Sequence, residues 1–139
     1  MIRSSITRTI ALLLATGAAA QEPPPTKAVA SAEPAMSTGN RFTEAGGEAL
    51  YVQICAACHQ AGGKGAVGAA AYPALAGDAR LASASYPVTV MLYGLRGMPA
   101  LGRMMSDAQV AEVVNYVRTH FDNHYGDAVA PEDVKAARP

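Results

Sequence analysis

The clearest pattern of apolar and polar positions lies toward the C-terminus, and it predicts an amphipathic helix. The run Ser106-Asp107-Ala108-Gln109 has the form of a capping box, which starts a helix. The apolar residues that follow recur at intervals of three and four, as they do along one face of a helix: Val110, Val113, Val114, Val117 and Phe121. We therefore expect one stripe of this helix to face a core.

A shorter helix is predicted from Ser85 to Tyr93. Ser85 can cap it, and Pro87 suits a first turn. Gly94 can end it in a left-handed conformation.

A third helix is predicted from about Thr43 to Ala56. Its apolar residues lean to one side: Ala49, Leu50, Val52 and Ile54. Gly46 and Gly47 would weaken an isolated helix, so they indicate a close approach of backbones.

The segment from Gln60 to Ala84 has neither a helical nor an alternating period. It is rich in Gly and Ala and contains Pro73. We expect no strand and no internal repeat, so the fold class is all-α. A structureless loop of this length needs something to wrap around.

The chain ends predict export and a mobile leader. Residues 1–20 show the basic, apolar and small-residue order of a signal peptide, with cleavage after Ala20. An uncleaved membrane anchor is the alternative, but a span needs about 20 apolar residues and this segment has roughly half of them. Residues 21–40 lack large apolar side chains and read as a flexible Pro/Ala-rich leader. The folded domain is expected at 41–121, followed by a polar tail, 122–139, with one helical turn opening at Pro131.

Charge narrows the class of partner. The 139 residues carry equal numbers of basic and acidic side chains, and removal of residues 1–20 leaves a net charge of −2. This balance argues against nucleic acid or anionic lipid as a partner.

A domain of this size gains only modest stability from an apolar core, and a large buried cofactor would add to that stability.

The strongest chemical signal is Cys55-Ala56-Ala57-Cys58-His59, the C-x-x-C-H pattern of covalent haem attachment. On a helical turn the two sulfurs lie on one side, where both can bond one porphyrin, and the next residue projects toward the iron. We therefore expect one haem c on Cys55 and Cys58, with His59 as an iron ligand.

Three other interpretations of the cysteines remain open. A disulfide would close a tiny loop and constrain little of the unfolded chain. A thioredoxin-like pair needs a strand-helix-strand setting, which the pattern does not predict. Structural zinc needs four Cys or His ligands, and the next histidine is His120.

Met98 is the preferred sixth ligand of the iron. It lies in a turn-rich loop where Gly97 permits close approach and Pro99 stiffens the chain. Ligation by His and Met raises the reduction potential. Met91 is interpreted as core, and Met104 or Met105 remains the alternative ligand. The other candidates are Met36, His120 and His124.

With these residues in view, the sequence resembles the class I cytochromes c over nearly all of residues 41–121. The spacing of Gly47, Tyr51 and the C-x-x-C-H run is similar to the first helix of that family. Pro73-x-Leu75 is similar to its haem-contact loop, and Met98-Pro99 to its sixth-ligand segment. Tyr116 lies where the last helix of the family carries an aromatic residue.

The resemblance implies roles for several residues. Gly47 would let the first helix cross the last one closely, with Tyr51 and Tyr116 near the crossing. The carbonyl of Pro73 would accept a hydrogen bond from the imidazole of His59, and Leu75 would pack on the haem face.

A less specific resemblance covers residues 98–118. They are similar to cytochrome domains and subunits that serve bacterial periplasmic dehydrogenases for alcohols or gluconate. The mitochondrial carriers differ from this chain in that they use a ring of lysines around the haem edge for docking. The mature chain here has only three lysines, Lys27, Lys64 and Lys135. We therefore expect docking on an apolar face of Gly- and Ala-rich loops around the haem edge.

The sequence thus predicts a periplasmic electron-transfer protein between a dehydrogenase-type donor and a downstream carrier or oxidase. No catalytic set stands out, so neither enzymatic activity nor a small-molecule substrate is expected, and membrane association is not required. The rivals are a haem sensor or peroxidase-like protein with an open sixth position, and an obligate cytochrome subunit of a dehydrogenase. Three arginines are candidates for pairing with haem propionates: Arg80, Arg96 and Arg103.

Overall fold

The computed structural model describes residues 41–139, and their secondary structure is almost entirely helical. The predicted signal peptide, leader and Met36 lie outside the described residues. The elements are, in order, α1 (Gly47–Leu50), a π-helical stretch (Tyr51–Cys55), α2 (Ala56–His59), β1 (Ala66–Val67), β2 (Ala71–Tyr72), a 3₁₀ turn (Ala79–Ala82), α3 (Ser85–Tyr93), α4 (Asp107–Thr119) and α5 (Pro131–Ala137). The predicted all-α class is confirmed, with one small sheet added.

The first three helical stretches follow one another without a break and form one unit, the 47–59 helix. Its predicted start at Thr43 is four residues too early. The side-chain amide of Gln109 donates to the carbonyls of Phe42 and Glu44, both at 3.0 Å, and so holds the preceding segment against the start of α4. Val52, expected on the inner side, is 56% exposed, whereas Leu50 and Tyr51 are fully buried.

The 47–59 helix crosses α4 at Gly47. A Cβ on Gly47 would overlap the carbonyl oxygen of Glu112 and lie 2.5 Å from Cβ of Tyr116. Tyr51 packs beside the crossing, with its ring 5.7 Å from that of Tyr116. The close crossing expected at Gly47 is therefore present, and only glycine fits there.

Helix α4 has the predicted capping box and apolar stripe. The Ser106 hydroxyl accepts from the Gln109 N–H at 3.2 Å, and the Gln109 side chain accepts from the Ser106 N–H at 2.9 Å. The stripe residues Val110, Val113, Val114 and Val117 are all buried. Helix α3 has its predicted bounds, and Gly94, whose φ is 75°, follows its last residue. Its N-cap is Ala84, so the prediction that Ser85 caps the helix is wrong.

The loop between the 47–59 helix and α3 contains a short hairpin, so the prediction of no strand in this segment is wrong. Ala66 pairs with Tyr72 and Val67 with Ala71 in a two-stranded antiparallel hairpin. Strands of two residues each, half of them alanine, leave no alternating pattern to read.

The C-terminal tail packs on the same core as the helices. Val134 in α5 is fully buried, and Val129 is 6% exposed. Asn115 of α4 holds the tail by two hydrogen bonds to the backbone of Val129, at 2.9 and 2.8 Å. The buried guanidinium of Arg118 bonds the carboxylate and the carbonyl of Asp127. The packed region thus extends beyond Phe121, the predicted end of the domain.

Candidate haem site

The two cysteines lie on consecutive turns at the C-terminal end of the 47–59 helix. Cys55 ends the π-helical stretch and Cys58 lies in α2. Both are half-buried and neither forms a disulfide. Burial, with a further contribution from the charge of Cys58, raises the pKa of the Cys55 thiol to about 11. A redox-active dithiol needs a lowered thiol pKa, so this environment does not support a thioredoxin-like pair.

His59 is oriented by the carbonyl of Pro73. Its Nδ1 lies 2.9 Å from that oxygen, and the residue is 8% exposed. Because a carbonyl oxygen only accepts, Nδ1 carries the proton and Nε2 keeps the lone pair that a metal requires. The hydrogen bond implied by the resemblance is thus present in the structure.

Gly65 brings the hairpin onto His59. Its N–H donates to the His59 carbonyl at 3.0 Å, and its φ is 68°. A Cβ at this position would overlap the carbonyl oxygen of Tyr72 and lie 2.7 Å from the amide nitrogen of Ala74. The glycine therefore permits the close approach that carries Pro73 to the imidazole.

Leu75 is half-buried against the core and is held from both sides. Its N–H donates to the Gly63 carbonyl at 2.7 Å, and its own carbonyl accepts from Nδ2 of Asn123 at 2.8 Å. Asn123 is 1% exposed, and its Nδ2 also donates to the Val117 carbonyl at 2.9 Å. The sequence does not reveal Asn123 as part of the site, because a polar residue just beyond a helix gives no sign of burial.

Met98 closes a tight turn between α3 and α4. Leu95 and Met98 exchange two backbone hydrogen bonds of 3.0 Å each. The glycine that allows close packing here is Gly94: a Cβ on it would lie 2.7 Å from the Met98 carbonyl oxygen. A Cβ on Gly97, to which sequence analysis assigned that role, would meet no protein atom within 4 Å.

The candidate iron ligands differ in how far they are buried. Met98 and Met104 are half-buried, Met91 is 6% exposed and Met105 2% exposed, so the last two belong to the core. The exposed ring of His120 stacks on Tyr116 with centroids 4.0 Å apart. His124 is also exposed. The choice of Met98 as iron ligand stays a prediction.

The candidate propionate partners are all exposed. Arg80 already pairs with Asp78 at 2.8 Å, and this ion pair lowers the pKa of the Asp78 carboxyl. Arg96 has a positive φ of 54° within the Met98 turn. The propionate role of Arg80, Arg96 and Arg103 stays a prediction.

The donor set fits a covalently attached haem. Two unpaired thiols and an imidazole with a free Nε2 lie within five consecutive residues. Among residues 41–139, no cluster of three or more His, Cys, Asp and Glu side chains is arranged to hold a metal ion. No helix in the same range is long and apolar enough to cross a membrane.

Comparison with known proteins agrees with this chemistry. Residues 43–117 match the family described as cytochrome c oxidase, cbb3-type, subunit III. Cytochrome c-552 of Thermus thermophilus is 36% identical over 113 residues, which cover 73% of this chain and 72% of that protein.

Two dehydrogenase subunits are also similar. The fructose dehydrogenase cytochrome subunit of Gluconobacter japonicus is 31% identical over 130 residues, 83% of this chain and 26% of that subunit. The gluconate 2-dehydrogenase cytochrome c subunit of Pantoea cypripedii is 36% identical over 104 residues, 66% and 24% of the two chains. The chain thus spans about a quarter of the length of these subunits. The family match and the attachment run together show that this chain belongs to the class I c-type cytochromes and carries a covalently bound haem c.

Proposed function

We propose that this protein is a periplasmic one-electron carrier that accepts electrons from a dehydrogenase-type donor and passes them to another carrier or an oxidase. The observation that carries the proposal is the hydrogen bond between His59 Nδ1 and the Pro73 carbonyl. It fixes the ring plane and leaves Nε2 for iron, as an imidazole that stays bound through redox cycling requires.

In this proposal Cys55 and Cys58 would hold the haem through thioether bonds, and His59 and Met98 would bind its iron. The haem supplies the one-electron redox chemistry when it is bound. The chain's own residues hold it and exclude water: Pro73 orients the imidazole, and Leu75 presents an apolar side chain anchored at both of its backbone groups. We assign the protein no catalytic reaction of its own.

We place the docking face on the hairpin beside His59. The segment from Gly65 to Gly77 contains no charged residue. Val67 is 96% exposed and Tyr72 39% exposed, while Gly65 ties the base of the hairpin to His59. An exposed apolar hairpin next to an iron ligand suits a brief contact with an apolar patch on a redox partner. Attraction between charges would contribute little to this contact, because the hairpin carries no charge.

Electron self-exchange between reduced and oxidised copies tests this proposal without an identified partner. NMR line broadening of mixed-redox samples measures the rate. We expect measurable exchange that depends weakly on salt. Val67→Asp should slow it several-fold through repulsion between the two copies, and added salt should restore it. Ala108→Asp on α4 is the charge-matched control and should leave the rate unchanged. No measurable exchange would refute the carrier function. An exchange rate in Val67→Asp equal to that of the wild type would show that the docking face lies elsewhere.

A second candidate is an obligate cytochrome subunit of a dehydrogenase complex. It is favoured by the similarity to the fructose and gluconate 2-dehydrogenase cytochrome subunits. Purification from the native host under mild conditions tests it. A stoichiometric dehydrogenase chain would support the subunit, and elution as a monomer with full redox activity would support the free carrier.

We further propose that residues 1–20 are a signal peptide and residues 21–40 a leader. Intact mass measurement of the exported protein should give a chain that begins at Gln21 and carries one haem. A haem-bearing chain that still begins at Met1 would contradict the cleavage and support a membrane anchor.

A further inference from the structure

Helix α5 is followed by Arg138, whose three side-chain nitrogens each donate a hydrogen bond. Arg138 donates from Nη1 to the Gly102 carbonyl at 2.6 Å and from Nη2 to the Met105 carbonyl at 2.9 Å. Its Nε donates to Oδ1 of Asp107, the first residue of α4, at 2.5 Å. The planar fork of arginine can bridge three acceptors on one short segment, which a lysine cannot do.

The segment held by Arg138 lies shortly after the Met98 turn, from which residues 99–101 separate it. Residues 102–105 connect that turn to α4, and they have other anchors too. The N–H groups of Leu101 and Gly102 donate to the Met91 carbonyl at 2.9 and 3.0 Å. If Met98 moves away with its loop as a unit, the hydrogen bonds from Arg138 must lengthen or break.

Arg138 is itself firmly supported. Val134, one turn before it, is fully buried, and the Tyr93 hydroxyl donates to the Ala137 carbonyl at 2.9 Å. Since Tyr93 is the last residue of α3, helix α5 is fastened on both sides of the loop that carries Met98. The C-terminal segment therefore braces this loop instead of trailing into solvent.

We propose that Arg138 is a positioning residue for the sixth iron ligand: by holding residues 102–105, it restrains Met98 and so sets how readily another ligand displaces the thioether. The proposal rests on the assignment of Met98 under the proposed function. It gives the C-terminal segment a part in electron transfer, because a restrained Met98 would stay bound to the iron in both oxidation states.

Imidazole competition measures the restraint directly. Imidazole binds the oxidised haem only when Met98 is displaced, so its apparent affinity rises in proportion to the open fraction of the loop. The far-red sulfur-to-iron absorption band reports the bound thioether in the same titration. For Arg138→Gln we expect an apparent imidazole affinity about tenfold higher, which corresponds to about 1.4 kcal/mol of lost restraint. Arg138→Lys should fall between this variant and the wild type.

Two controls separate restraint from general stability. Lys135→Gln makes the same charge change on the exposed face of α5 and should titrate like the wild type. Val129→Ala removes buried methyl groups from the tail away from the Met98 loop, so it should lower the unfolding midpoint without raising imidazole affinity.

The outcomes distinguish failure of the Arg138 proposal from failure of the Met98 assignment on which it rests. A wild type that lacks the far-red band would refute Met98 ligation and, with it, this inference. A wild type with the band and an Arg138→Gln variant with unchanged imidazole affinity would overturn the positioning role alone. Equal increases for Arg138→Gln and Val129→Ala would also overturn it, because the effect would then follow stability.

Discussion

Replacing Gly47 by alanine tests the helix crossing that fixes the haem-binding helix against α4. The new Cβ would lie 2.5 Å from Cβ of Tyr116, roughly 1 Å short of the 3.5–4.0 Å at which carbon atoms pack. It would also overlap the Glu112 carbonyl oxygen, which is backbone and cannot rotate away.

The expected loss of stability follows from two opposing effects. Forcing a methyl group into a packed crossing costs about 3 kcal/mol at the upper end of the usual range. The better helix propensity of alanine returns up to about 1 kcal/mol. The net loss of about 2 kcal/mol should lower Tm by roughly 8–16 °C in a domain of this size.

Thermal and urea unfolding of the haem-loaded protein, followed by circular dichroism, measure this loss. Gly126→Ala is the matched control, because a Cβ there would meet no atom within 4 Å and its φ is not positive. A Gly47→Ala protein as stable as the control would refute the close crossing.

Three further predictions concern the pKa of Tyr51 and the contacts of the tail. Burial raises the pKa of Tyr51 from 10.0 to about 12, so the folded state keeps a proton that the unfolded state releases. The stability of the protein therefore falls as pH rises from 10 to 12. In Tyr51→Phe the urea midpoint should fall less over this pH range than it does in the wild type. The hydrogen bond from Arg118 lowers the pKa of the Asp127 carboxyl, so the ion pair stabilises the fold above pH 3.8 and this stabilisation is lost as pH falls below that value. Asp127→Asn should be less stable than the wild type at pH 7. A difference in stability between the two proteins that is as large at pH 2.5 as at pH 7 would contradict the ion pair. Asn123→Ala removes the buried donor to the Leu75 carbonyl and should cost about 2 kcal/mol in urea unfolding, whereas a neutral effect would show that the amide is dispensable.

Local signals predicted the elements whose ends are set by their own residues. The capping box of Ser106 and Gln109 placed the start of α4 correctly, and Gly94 placed the end of α3. The attachment run predicted a covalent haem c, because its spacing is itself the chemical requirement, and the family match confirms this cofactor. In each case the interaction lies within a few residues along the chain.

Contacts between distant residues account for what sequence analysis missed. The 47–59 helix starts late because Gln109 holds the carbonyls of Phe42 and Glu44. The packing of the tail depends on Arg118, a charged residue that is fully buried at the end of an otherwise ordinary helical stripe. Its guanidinium donates to the carbonyls of Leu81, Ala82 and Asp127 and to the Asp127 carboxylate, which lie 37, 36 and 9 residues away. No periodicity or motif reveals such partners.

The central claim is that His59 and Met98 close the coordination of a haem that transfers electrons. Absorption spectra of the purified wild type and of Met98→Ala, oxidised and reduced, test it most directly. We expect the wild type to show the far-red sulfur-to-iron band and a low-spin spectrum. Met98→Ala should lose the band, become high-spin and bind small ligands. An unchanged spectrum in Met98→Ala would transfer the ligand role to another residue, and a wild type that is already high-spin would contradict the carrier and indicate a sensor or an enzyme.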